Sequence, residues 1–227
     1  MKKIFLSTLV ALLTISSVYS QKTVIGDVTY SYNILGEGAE MMAAMMPEKM
    51  VITYGKDGMM VKMVGGMMAS AMGTTIVNVE TGETYVIKDA EQTVYVQSAD
   101  EAEAEMEDVE NPKPVKHDET MEILGYKCTL YTQTVTMQGM SMTQKLWVTD
   151  DLKAPDYDKK ALKGMSGMNT MNFDVNGFPL MIEMDIPGMP VTMELKVVNL
   201  DLKKVNKSLF EKPKGYTEKS MDEFQAF

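Results

Sequence analysis

The sequence predicts a mainly β protein built on a large antiparallel sheet with one buried face. Three observations carry this: short runs in which apolar and polar residues alternate, turn sequences at close intervals between those runs, and helical stretches that are few and brief.

Val24–Asn33 places Val28, Tyr30 and Tyr32 on one strand face, with Thr29 and Ser31 opposite. Gly38–Met46 is rich in Ala and Met and is stopped by Pro47, which reads as a short helix. Met50–Tyr54 and Met59–Val64 flank Gly55-Lys56-Asp57-Gly58, a turn sequence between two apolar runs and therefore a hairpin. Gly65–Gly73 fits either a helical turn or a strand. Thr74–Val79 and Thr84–Lys88 bracket Thr81-Gly82-Glu83 as a second hairpin, and Thr93–Gln97 is a further short strand. Residues 98–114 differ from their surroundings. Seven acids lie between Ser98 and Glu110, and two prolines follow, so this stretch reads as a solvated, partly helical insertion.

The second half reads as a meander. Tyr126, Cys128 and Leu130 share one strand face, opposite Lys127, Thr129 and Tyr131. Gln138-Gly139 turns that strand into Met140–Thr149, where Met142, Leu146 and Val148 alternate with Thr143, Lys145 and Trp147. Pro155–Lys163 suits a short helix closed by Gly164. Met171–Val175 and Phe178–Ile186 form a hairpin across Asn176-Gly177. Val191–Leu202 is the last long strand, with Val191, Met193, Leu195 and Val197 on one face. One-sided alternation over so many strands predicts a sheet with one face wet and one dry.

The N-terminus has the three regions of an export signal in order. Lys2 and Lys3 are followed by apolar Ile4–Val18, and Val18-Tyr19-Ser20 sets cleavage after Ser20. The expected organisation is a signal peptide at 1–20, one β domain at 21–216 carrying the acidic insertion at 98–114, and a tail at 217–227. No cysteine follows the cleavage point for lipid attachment, and no later stretch is apolar for long enough to span a bilayer. A periplasmic or secreted protein with no stable membrane insertion is the expectation.

After cleavage, 32 acids face 20 lysines, once Lys2 and Lys3 are removed from the 22 basic residues, and there is no arginine. So acidic a chain is repelled by nucleic acid and by anionic lipid surfaces. Without arginine it lacks the fork suited to bidentate phosphate recognition. Cys128 is the only cysteine, and its expected role is that of a small buried hydrophobe.

Methionine makes up 25 of the 227 residues, often in adjacent pairs such as Met41-Met42, Met45-Met46 and Met67-Met68. Its flexible, polarizable side chain fills irregular apolar space and adapts to varied ligands. The richness therefore points to a soft apolar lining, to thioether metal ligands, or to a compositional habit.

Three motifs recur in one order: Ile123-Leu124-Gly125-Tyr126-Lys127-Cys128, Leu146-Trp147-Val148-Thr149-Asp150 and Gly177-Phe178-Pro179-Leu180. In these the chain resembles an uncharacterised group of secreted Bacteroidota proteins, classed as a domain of unknown function. The closing run Leu209-Phe210-Glu211-Lys212-Pro213-Lys214-Gly215-Tyr216 is similar to the end of lipoprotein-carrier (LolA/LolB-like) domains. That resemblance implies an incomplete β-barrel: a strongly curved antiparallel sheet around an apolar cavity, with short helices as a lid. In the carriers the cavity accepts acyl chains. This chain differs in having no cavity arginine and far more methionine.

No set of residues fills the roles of an enzyme site. His117 is the only histidine and sits in the polar run Lys116-His117-Asp118-Glu119. Gly164-Met165-Ser166-Gly167 lacks the spacing of a nucleophile elbow. The function expected is non-enzymatic binding, without cofactor, of a hydrophobic small molecule or acyl chain. Met41, Met42, Met45, Met46, Met67, Met68, Met165 and Met168 are the lid or rim candidates, and Met142, Met184 and Met193 the wall candidates. One alternative is Cu(I) held by the thioethers of Met165, Met168 and Met171, soft ligands that select this ion. Another is a protein–protein interaction module using an exposed Met patch. The sequence leaves the oligomeric state open.

Overall fold

The computed structural model describes residues 20–104, 113–137, 140–157, 175–186 and 188–224. Its first half runs β1 (Lys22–Thr23), β2 (Gly26–Gly36), α1 (Ala39–Met45), β3 (Lys49–Tyr54), β4 (Gly58–Val64), α2 (Met68–Met72), β5 (Thr74–Asn78), β6 (Thr84–Lys88), β7 (Thr93–Gln97) and α3 (Ala99–Ala104). The second half supplies β8 (Val115–Ile123), β9 (Tyr126–Met137), β10 (Met140–Thr149), β11 (Leu152–Lys153), β12 (Phe178–Asp185), β13 (Val191–Leu202) and β14 (Thr217–Ser220).

Twelve strands form one open sheet in the order β14-β7-β6-β5-β4-β3-β2-β13-β12-β10-β9-β8, with β1 and β11 paired beside it. All neighbours in the large sheet are antiparallel except β14 and β7. The fold is thus mainly β with short helices, and the sheet does not close into a barrel.

The sheet is strongly coiled. Tyr54 on β3 and Phe178 on β12 stand edge to face with ring centroids 5.8 Å apart, although β2 and β13 lie between their strands. In a flat sheet three strand spacings would separate them by about 14 Å. The Tyr30 hydroxyl likewise reaches across β13 to donate to the Pro179 carbonyl at 3.1 Å. A bulge assists the bend where Trp147 and Val148 of β10 meet β12, which shifts the register between them. Beyond it Thr149 opposes both Phe178 and Cys128, and all three are buried.

The main core fills the concave side with residues from β2–β4, β9, β10, β12 and β13, together with Val24 and Leu152 beside the small β1–β11 pair. A second cluster, Ile76, Tyr85, Ile87, Val94 and Phe210, packs with Val205 and Tyr216 of the C-terminal segment. This corrects the expectation of one wet face. Every residue of Thr84–Ile87 is buried, so both sides of β6 are covered. The run Tyr85-Val86-Ile87 is continuously apolar, as suits a strand buried on both faces.

Four strands were not anticipated, among them the two-residue β1 that pairs with β11. β8 carries the polar run around His117 to the sheet margin, β11 is two residues long, and β14 places Thr217–Ser220, expected in a tail, against β7. Of the ambiguous stretch 65–73, Met68–Met72 is helical. The first arm of the Asn176-Gly177 hairpin at 171–174 and the helix expected from Pro155 lie largely outside the described residues. Phe178–Asp185, the second arm, pairs with β10 and β13.

Candidate functional site

Strand direction divides the concave face into two ends. At one, β2 begins, β3 ends, β10 ends and β12 begins, because Gly26 pairs with Tyr54 and Thr149 with Phe178. Aromatic and aliphatic side chains fill this end, and the Tyr157 hydroxyl bonds the Gly55 and Gly58 carbonyls there at 2.7 and 2.9 Å.

Methionine gathers at the other end. Here Met50 of β3 opposes Met63 of β4, and Met184 of β12 opposes Met193 of β13. Met50, Met63 and Met184 are buried, while Met142 and Met193 are half-buried and pack against the same core. The Tyr32 hydroxyl stands 3.8 Å from Met50 Sδ and 3.6 Å from Met63 Sδ, so one proton is shared between two weak acceptors. Burial pushes the Tyr32 phenol up to about 12.

The connections over this end are α1, between β2 and β3, and α2, between β4 and β5. Ala69 and Met72 of α2 pack on the core. Gly38 starts α1 in the left-handed region and no side chain caps it; none of its residues is fully buried. Met42, Met46 and Met68 are half-buried, whereas Met41 (78% exposed), Met67 (74%) and Met45 (51%) face solvent. These three are rim rather than lining. Leu35 and Val64, at the ends of β2 and β4, are exposed on the face opposite Met193 and Met63, and Met189 is exposed in the β12–β13 turn. Met165, Met168 and Met171 lie outside the described residues.

Sequence reasoning passed over Met50, Met63, Met72, Tyr32, Gln133 and Gln144 as site residues. The signal was present for several. Met50 shares strand parity with Ile52 and Tyr54, and Gln144 with Leu146. Gln144 and Gln133 are opposite one another on β10 and β9, and both are buried. Gln144 Nε2 donates to Met184 Sδ at 3.3 Å, while its Oε1 has no partner.

Besides tyrosines and Cys128, the buried polar side chains among the described residues are threonine, asparagine and glutamine, and no group of three or more His, Cys, Asp and Glu there could hold a metal ion. His117 belongs to β8, half-buried, with Nε2 2.8 Å from Thr132 Oγ1. The dish formed by Lys116, His117, Asp118 and Glu119 is open to solvent. Cys128 is fully buried, and burial raises its thiol to about 11, which makes it inert. None of the described helices is long and apolar enough to cross a membrane.

Fold and site together define an open, coiled β-sheet protein with a methionine-bearing concave face. The chain belongs to the family described as a domain of unknown function (DUF4412), which matches residues 37–216. No curated protein matches it. Among solved structures it is similar to PNGF-II, at 14% identity and a TM-score of 0.46 over 87% of this chain and 32% of that one. The chain therefore spans about a third of that protein. It is also similar to an uncharacterised conserved protein from Thermus thermophilus, at 11% identity and a TM-score of 0.43 over 86% of this chain and 90% of that one. LprF from Mycobacterium bovis is similar at 11% identity and a TM-score of 0.31, over 79% and 89% of the two chains.

Proposed function

We propose that this is an exported, non-enzymatic binding protein that holds a hydrophobic ligand, an acyl chain or lipid-linked group, against the methionine end of its concave sheet. One observation carries the reading. Buried or half-buried methionines of β3, β4, β10, β12 and β13 belong to one core at the end of the sheet where α1 and the start of α2 expose Met41, Met45 and Met67. Thioether side chains suit such a surface, because they adapt to chains of variable shape. The export expectation rests on the ordered signal regions of residues 1–20.

Native mass spectrometry of the gently purified protein tests this. The expected spectrum carries a lipid-sized adduct, or gains one when the protein is offered acyl lipids or lipopeptides. A protein that arrives empty and stays empty under that challenge does not have this function.

A further inference from the structure

We propose that Met41, Met45, Met67 and Met189 form a site of reversible S-oxidation, where a peroxide turns an apolar rim polar and loosens its hold on a hydrophobic ligand. The loosening rests on the hydrophobic-ligand reading above; the oxidation site itself does not.

The fold sorts the methionines into two chemical classes. Met50, Met63 and Met184 are buried, and each sulfur also receives a hydrogen bond. The Tyr32 hydroxyl serves Met50 and Met63, and Gln144 Nε2 serves Met184. Their lone pairs are both shielded and engaged. Met41, Met45, Met67 and Met189 are the exposed methionines among the described residues. Thioether oxidation follows access to the sulfur, so these four react first.

All four stand at one end of the sheet. Met41 and Met45 are one turn apart on α1, and Met67 immediately precedes α2. Met189 lies in the turn before β13, whose Val191 pairs with Gly36 at the end of β2. The stretch from the end of β2 to the start of β3 touches both of the other connections: a Cβ on Gly36 would run into the Pro190 carbonyl, and one on Gly66 into that of Met46. Oxidant arriving from bulk water therefore meets its exposed thioethers together.

The chemistry is a two-electron oxygen transfer. The sulfur lone pair attacks one peroxide oxygen, and an S–O bond forms as the O–O bond breaks. The hydroxide that leaves takes the proton of the S–OH group, giving sulfoxide and water. At an exposed position the new oxygen stays hydrated, so the fold tolerates it and a reductase can reach it. At Met50 or Met184 the same oxygen would be buried at a cost in hydration. An acyl chain laid against the oxidised rim must likewise strip water from S=O groups, which weakens its binding.

The test treats the intact protein with hydrogen peroxide, quenches with catalase and follows each methionine by peptide mass spectrometry. Met41, Met45, Met67 and Met189 are expected to oxidise at least about tenfold faster than Met50, Met63 and Met184, with the difference lost in urea. Methionine sulfoxide reductases A and B should return the four to thioethers. One common rate in the folded protein, or sulfoxides that both reductases leave in place, overturns the site. In parallel, a fluorescent acyl probe should bind about tenfold more weakly after peroxide and recover after reduction. Replacing the four together (Met41→Leu, Met45→Leu, Met67→Leu, Met189→Leu) keeps the rim apolar and should preserve affinity through peroxide. Unchanged binding by the oxidised natural sequence overturns the loosening, and that comparison needs no variant. A loss that persists in the leucine variant overturns its assignment to these four. A protein that binds no probe before peroxide overturns the hydrophobic-ligand reading and the loosening with it, while the oxidation rates alone judge the site.

Discussion

Tyr157 and Gly55 are joined by a 2.7 Å hydrogen bond from the phenol to the backbone carbonyl, across 102 residues of sequence. The same hydroxyl lies 2.9 Å from the Gly58 carbonyl, so the residue just past β11 is tied to both ends of the β3–β4 turn. Gly58 O also receives the Gly55 N–H at 2.9 Å, which leaves Gly55 O the more dependent of the two. Tyr157→Phe keeps the ring and removes this link. It is expected to destabilise the protein by about 1–2 kcal/mol. Urea unfolding should show a lower midpoint with the slope unchanged; an unmoved midpoint would show that the bond adds nothing.

The Phe210 ring packs against the same turn. A Cβ on Gly58 would stand 2.6 Å from Phe210 Cγ and 2.5 Å from the Val77 carbonyl oxygen, and a Cβ on Gly55 would also run into the ring. Phe210→Ala is expected to cost about 3–5 kcal/mol, as for other buried phenylalanines. Gly58→Ala should remain destabilising in the Phe210→Ala background, because the Val77 oxygen is backbone and stays in place. Thermal melts of the single and double variants check this, and full rescue would contradict it.

Burial raises the phenols of Tyr30, Tyr54 and Tyr157 above their ordinary value of 10.0, and lifts Tyr32 to about 12. Above about pH 10 the unfolded chain releases these protons while the folded protein retains them. The unfolded state then binds fewer protons, and stability falls as pH rises. Their contribution is complete below pH 10 and, for Tyr32, is lost by about pH 12. The slope attains up to about 1.4 kcal/mol per pH unit for each such phenol. Chemical denaturation between about pH 8 and pH 11 should give a plateau from these groups followed by a decline that is shallower in Tyr54→Phe. A decline unaltered by that substitution would remove Tyr54 from the account.

Cys128 offers a separate probe of the core. With its thiol at about 11 and its side chain fully buried, about 0.1% is thiolate at pH 8, and that fraction is shielded from reagent. Reaction with a disulfide reagent should take hours in the folded protein and be rapid in urea. Fast labelling without denaturant would mean that the β9–β10 region opens readily.

Much of the sheet was legible because its chemistry is local. Gly55-Lys56-Asp57-Gly58 joins β3 to β4, and the alternation of Val191, Met193, Leu195 and Val197 marks the inward positions of β13. The marginal strands were not legible, since they carry no continuous apolar face. Lys116, Asp118, Glu119 and Glu122 on β8, with Glu218 and Lys219 on β14, read as loop or tail, yet such charges suit margins that must not pair with another chain. The bulge beside Trp147 and Val148 escaped for another reason: the ladder skips Leu180 of β12, next to Pro179, while β10 stays in step with β9, so the alternation of β10 does not report it.

In the site, inward-facing methionines such as Met184 and Met193 followed from strand parity, whereas the helical candidates did not sort themselves. Met41, Met42, Met45 and Met46 are alike in sequence, and only the placement of α1 separates the exposed members from the half-buried ones. The unpartnered Gln144 oxygen depends on Met184, forty residues away along the chain, and no local pattern reports it.

In the row of twelve strands, β14 and β8 stand at opposite ends and share no ladder. A sealed cylinder has its girth fixed by strand number and stagger, so an oversized guest must break a seam. Here small changes of twist between neighbours can add up along the row while every ladder stays intact. Under the function proposed above, a sheet built this way would accommodate slim and stout occupants alike by adjusting its gape.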